Sequence, residues 1–170
     1  GTSFQTADVL VALAEARDAG IEVDQGNVDR GVAFLKSLRT DKGYLYAPGK
    51  ELRKNWDALA EKEALDRTAG RIVLCEHALF RWKSLKQEEL EASLQKFFDH
   101  KAYLWDVRAY RGEEARPKSW LVTEYDTPYA NFAYYACFNT AQALASVSAE
   151  KRRTWAAEMR KDLIKTKLAN

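Results

Sequence analysis

A chain of 170 residues is one ordinary domain, long enough to bury roughly 70% of the surface its unfolded form exposes, so neither a metal nor a disulfide is needed to explain folding. Lys and Arg number 27 against 25 Asp and Glu, a net charge of +2 with both signs interspersed, which argues against a nucleic-acid footprint or an acidic-membrane patch. No apolar run approaches the ~18 residues that span a bilayer, and three prolines, eight glycines and 12% aromatics disfavour a β-sandwich or barrel and point to an all-α domain.

The apolar spacing predicts a first helix from about Gln5 to Ala19, with Thr2 or Ser3 as N-cap, Leu10, Leu13, Ala14 and Arg17 at helical spacing, and Gly20 as its stop. Asn27 is the expected N-cap of a second helix, whose Val28, Val32, Leu35 and Leu38 form one apolar stripe. That helix is expected to close at Asp41 to Gly43, and Ala47-Pro48-Gly49 reads as a turn. Glu51 to Leu65, charged and alanine-rich with Trp56 and Leu59 as anchors, reads as a short surface helix. A longer helix is predicted over Asp66 to Trp82, with Ile72, Cys75, Leu79 and Trp82 on one face and Arg67, Arg71 and Glu76 around the remainder.

Ser84-Leu85-Lys86-Gln87 has the form of a capping box for the helix that packs Leu90, Leu94, Phe97 and Phe98. A polar connection follows from Asp106 to Thr123. Thr127-Pro128 is a helix-start signal, and the aromatic helix it opens, to about Ala145, is the expected central helix of the domain. Ser148 should cap a last helix with Trp155, Met159, Leu163 and Ile164 facing inward. Cys75 and Cys137 stand alone in apolar helical contexts and read as buried thiols. No basic-apolar-small signal pattern opens the chain, so it reads as soluble, while Gly1 before Thr2-Ser3 looks like a cleavage scar and leaves the compartment open.

One stretch repeats. Lys42-Gly43-Tyr44-Leu45-Tyr46 returns as Lys101-Ala102-Tyr103-Leu104-Trp105, a Lys-small-Tyr-Leu-aromatic pattern. Aligning the helix pairs places Ala16, Ala78 and Ala143 at equivalent positions on incoming helices, and Val32, Leu94 and Met159 on outgoing ones. The expected fold is therefore a single all-α domain over residues 1–170, made of three αα-hairpins at about 5–38, 66–100 and 128–165, in a curved helical array.

Arg30-Gly31, then Phe34-Leu35, Arg39 and Gly43 resembles the glutamine-tryptophan repeat of the prenyltransferase and squalene-cyclase superfamily. Arg39 stands where that family has glutamine, Leu45 where it has tryptophan, Tyr46 supplies the aromatic one place later, and Ala102 replaces the second glycine. The resemblance implies an α/α-toroid. Three hairpins are fewer than that family's closed ring, so the implied form is a partial toroid, a piece of a longer chain, or a module that associates with copies of itself.

In terpene cyclases of that superfamily an aspartate-rich segment protonates the substrate, and Glu124-Tyr125-Asp126-Thr127 is the nearest counterpart. The resemblance thus makes Asp126 or Glu124 the general acid, at a pocket lined by Tyr125, Tyr129, Phe132 and Tyr135, whose π-faces stabilise a cation. Asp126 is equally suited to capping the helix that follows. Arg108, with Trp120 nearby, is a candidate for binding an anion or sugar. Cys75 and His77 are two apart on a helix and point in different directions, so no zinc site or cofactor is expected. The first expected function is a non-catalytic binding or scaffolding module, engaging a protein partner, a peptide or an apolar ligand. The alternative is a toroid-class enzyme acting on an isoprenoid or polysaccharide, with Asp126 or Glu124 as acid.

Overall fold

The computed structural model describes residues 1–104 and 133–168, with side chains to Ile164, and these residues form an all-α fold apart from one small hairpin. Helix α1 (Ser3–Asp18) begins where Thr2 Oγ1 accepts the Gln5 N–H at 3.4 Å, and Gly20 follows it with a φ of +83° that favours glycine. Helix α2 (Gln25–Leu38) starts earlier than an Asn27 cap would allow, because the Asp24 carboxylate accepts the Asn27 N–H at 3.0 Å and takes the capping role. Val28, Leu35 and Leu38 are buried along it, and Val32 packs against the same core.

The turn after α2 is a β-hairpin. Strands β1 (Arg39–Thr40) and β2 (Gly43–Tyr44) pair antiparallel, Arg39 opposite Tyr44 and Thr40 opposite Gly43. Gly43 has a φ of +121°, and a Cβ there would lie 2.6 Å from Thr68 Oγ1, so both backbone and space demand glycine. That requirement explains why the second copy of the pattern folds differently. Ala102 stands at the equivalent position, and Ala102 to Leu104 is helical instead of forming a hairpin.

The run expected as one short surface helix is divided. Helix α3 (Lys50–Ala58) buries Trp56, the chain breaks at Leu59 and Ala60, and α4 (Glu61–Arg81) begins before the expected Asp66. Lys42 Nζ donates to the carbonyls of Asp57 and Leu59 at 3.1 and 2.9 Å, satisfying groups that the end of α3 leaves open. Helix α5 (Gln87–His100) starts after Lys86, whose N–H donates to Glu89 at 3.1 Å, so the reciprocal glutamate bond forms two residues beyond the site that Ser84 predicts.

Helix α6 (Ala133–Leu144) and helix α7 (Ala149–Leu168) form the last hairpin, with Ser148 Oγ accepting the Lys151 N–H at 3.4 Å. Trp155 stacks on Phe98 of α5 at 5.6 Å, and Lys101 pairs with Glu158 at 2.9 Å and with Asp162. Leu163 and Ile164, expected inward, are 36% and 52% exposed.

The first helices of the three hairpins lie together and run in the same direction. Cys75 Sγ meets the Ser3 carbonyl at 3.8 Å, and Trp82 Nε1 donates to the Leu10 carbonyl at 2.8 Å, so α1 and α4 advance together. Tyr135 donates to Asp8 and Gln142 to Glu15, both across 127 residues, so α1 and α6 advance together as well. Ala16 and Ala143, equivalent in the repeat, stand at that same separation.

The central helix is α4 rather than the aromatic one. Every residue from Arg71 to Leu79 is buried, with α1, α5, α6 and the β-hairpin packed around it. Arg71 and Glu76, expected around the remainder of the helix beside its apolar face, are 4% and 2% exposed. The Thr127-Pro128 start lies outside the described residues, and α6 keeps Tyr134 and Phe138 49% and 60% exposed. No helix among the described residues is long and apolar enough to cross a membrane.

Candidate functional site

Of the residues singled out for chemistry, Glu124, Tyr125, Asp126, Tyr129, Phe132, Arg108 and Trp120 lie outside the described residues. Tyr135 is described, and its position is specific. On α6, Ala136, Asn139 and Ala143 are buried, while Tyr134 and Phe138 stand on the exposed face. Tyr135 and Gln142, two turns apart, turn instead toward α1. The Tyr135 hydroxyl donates to Asp8, and burial together with that bond raises the phenol above its ordinary range. Burial also raises the Asp8 carboxyl, against the lowering effect of the tyrosine bond. The bond joins α1 to α6.

The glutamine-tryptophan-like stretch builds a second polar centre. Arg39 Nε and Nη2 donate to the two carboxylate oxygens of Glu76 at 2.8 and 3.1 Å, and the Tyr44 hydroxyl donates to Glu76 at 2.6 Å. The fork of the guanidinium matches the carboxylate in plane, which a glutamine at position 39 would do with one bond. Burial first, then the neighbouring Cys75 and Glu76, holds the Tyr44 phenol far above its usual value, so it remains a donor. The centre ties the hairpin after α2 to the middle of α4. Leu45 is buried beside it, and Tyr46 lies against Phe4 at 5.7 Å.

Glu76 was not among the chemical candidates, although its signal is present in the sequence. Val73 to Leu79 is an apolar run broken only by Glu76 and His77, and a charge inside such a run implies a buried partner. His77 is 1% exposed, and neither ring nitrogen has a hydrogen-bond partner among the described residues. Burial, with a smaller push from the Arg81 charge, lowers it to about 4 and keeps it neutral. Cys75 and Cys137 are free and buried. Burial pushes the Cys137 thiol up to about 11 and the Cys75 thiol higher still. Among the described residues no group of three His, Cys, Asp or Glu side chains is placed to hold a metal ion. Compared with protein-family models, with curated proteins and with solved structures, the chain matches none.

Proposed function

We propose that this chain is a non-catalytic binding or scaffolding module, built from αα-hairpins like those of the prenyltransferase and squalene-cyclase repeats, that engages a protein, a peptide or an apolar ligand. The observation that supports the reading is the outer face of α6. Tyr134 and Phe138 stand one turn apart on it, 49% and 60% exposed, on a helix whose other faces are committed to α4 and α1. Aromatic side chains concentrated on one exposed face are the side chains that interfaces favour, because each buries a large apolar area at a low cost in rotamer freedom. The polar centres at Asp8–Tyr135 and Arg39–Glu76–Tyr44 join α1 to α6 and the β-hairpin to α4, a use that suits a rigid scaffold.

Native mass spectrometry of the purified protein tests the reading. A co-purified ligand or a self-associated species that Phe138→Glu removes supports it. A strictly monomeric, ligand-free spectrum that Phe138→Glu leaves unchanged counts against it. Turnover of an isoprenoid or polysaccharide that disappears in Asp126→Asn or Glu124→Gln would put the toroid-class enzyme in its place.

A further inference from the structure

The net charge of +2, small for the chain as a whole, conceals a segregation. Helix α7 carries seven basic residues against three acidic ones, a local balance of +4, so the rest of the chain sums to −2. Two of its three carboxylates are taken up on the side that meets the protein. Glu158 and Asp162 both pair with Lys101, Glu158 at 2.9 Å, and on the same flank Lys151 pairs with Glu91 of α5 at 2.7 Å. Arg153, Arg160 and Lys161 are exposed and form no ion pair among the described residues. These three and Ile164 follow one another at i, i+7, i+8 and i+11, which sets them on the side of α7 turned away from the buried Trp155 and Met159. The stripe runs about 16 Å along the helix axis, and Ile164, at its end, is 52% exposed.

Charge complementarity calls for an anionic partner, and the shape of the face narrows the choice. Long, flexible cations on the outside of a single helix need no shaped recess opposite them, and a plane of anionic headgroups rearranges laterally to meet each one. The boundary between headgroups and acyl chains also accepts an exposed isoleucine, for which the phosphates of a nucleic acid have no use. We propose that the outer face of α7 docks the protein on an anionic phospholipid surface, with Arg153, Arg160 and Lys161 among the headgroups and Ile164 at the acyl boundary. Trp155 and Met159 stay in the core, so the contact is peripheral and reversible and leaves the fold closed. The site is separate from the exposed face of α6 and stands or falls without it.

The test is co-sedimentation of the whole purified protein with vesicles of phosphatidylcholine alone and of phosphatidylcholine with phosphatidylserine at about two to one. Binding should be confined to the phosphatidylserine vesicles and should weaken several-fold as salt rises to the physiological range, because the attraction is screened. Each cation near such a surface strengthens partitioning roughly fivefold, so Arg153→Gln, Arg160→Gln and Lys161→Gln together should weaken it about a hundredfold. Lys36→Gln removes the same charge from an exposed position on α2 and should leave binding within about twofold of the wild type. Ile164→Ser should weaken binding a few-fold at unchanged charge. All these positions are exposed, and unchanged circular dichroism and urea midpoints show that the variants remain folded. Polyglutamate and double-stranded DNA are run beside the vesicles. Equal binding to both kinds of vesicle, no binding to phosphatidylserine vesicles, an effect of Lys36→Gln as large as that of Arg160→Gln, or binding of polyglutamate or DNA through the stripe in preference to the vesicles would overturn the proposal.

Discussion

Removing the Glu76 carboxylate should cost more than removing the tyrosine hydroxyl that donates to it, and the two losses should not add. Tyr44 is 1% exposed and Glu76 2% exposed, whereas the Arg39 side chain is 41% exposed and lies 3.5 Å from Glu89. In Tyr44→Phe the carboxylate keeps both bonds from Arg39, so the loss is one hydrogen bond to a charged acceptor, about 1.5 kcal/mol. In Glu76→Leu the Tyr44 hydroxyl is left buried and unpaired, a penalty of about 2 kcal/mol. Arg39 can turn to Glu89 and water, which adds little. In the double variant no orphaned hydroxyl and no broken Tyr44–Glu76 bond remain to be counted, so the coupling between the two positions should be about 3 kcal/mol. Urea unfolding followed by circular dichroism and by tryptophan fluorescence, with coincident transitions, supplies the four free energies of the cycle. If Tyr44→Phe costs less than about 0.3 kcal/mol and the two variants are additive, the centre is not a staple between the hairpin and α4, and the reasoning fails.

Acid should weaken the fold through His77. Its pKa is lowered from 6.5 in the unfolded chain to about 4 in the fold, so the unfolded state binds the proton first. Stability is level above pH 6.5 and falls by about 1.4 kcal/mol per unit as the pH drops toward 4, about 3 kcal/mol in all. His77→Phe, which leaves no unpaired ring nitrogen, should be neutral or stabilising at pH 7 and should lose that slope in urea titrations; an unchanged slope would refute the assignment. Among the described glycines, Gly43→Ala should be the most damaging, at about 3 kcal/mol or more, since it combines positive φ with a 2.6 Å contact. Gly70→Ala, facing Ala136 Cβ at 2.6 Å, should cost about 1–3 kcal/mol, and Gly20→Ala, with nothing nearby, only about 1 kcal/mol from its backbone; urea midpoints give the order. A disulfide reagent at pH 8 should leave both cysteines of the native protein unmodified, because about one Cys137 thiol in a thousand is ionised there. Rapid native-state labelling would contradict the burial of both thiols.

The helices and their pairing were legible because apolar spacing and capping residues act locally, and a three- or four-residue recurrence has few other solutions. Thr2, Ser148 and the Val28–Leu35–Leu38 stripe all act as their types suggest. The caps moved where two good candidates competed within three residues, as Asp24 does with Asn27, and sequence order does not say which carboxylate or amide reaches the open N–H. What could not be read was which helix would be surrounded. An aromatic-rich helix and an alanine- and leucine-rich helix both look buried, and their rank is decided by neighbours far along the chain. α4 becomes central because Glu76 finds Arg39 and Tyr44 on the β-hairpin, and because Gly70 lets α6 approach to van der Waals contact. Those are contacts across 32 to 66 residues, beyond the reach of any local pattern.

The two copies of the Lys-small-Tyr-Leu-aromatic pattern differ at their small residue, Gly43 in the first and Ala102 in the second. In the first copy Gly43 permits a hairpin that turns Tyr44 inward onto Glu76, buries Leu45 and sets Tyr46 against Phe4. In the second, Ala102 keeps the chain helical, Leu104 is buried in the core, and Lys101 is drawn to Glu158 and Asp162 on α7. One sequence pattern therefore takes two different local structures, a hairpin packed on α4 in the first copy and a helical turn tied to α7 in the second. The position that separates the two outcomes is Gly43 against Ala102, because the hairpin needs a φ of +121° with no Cβ beside Thr68 and the helical turn does not.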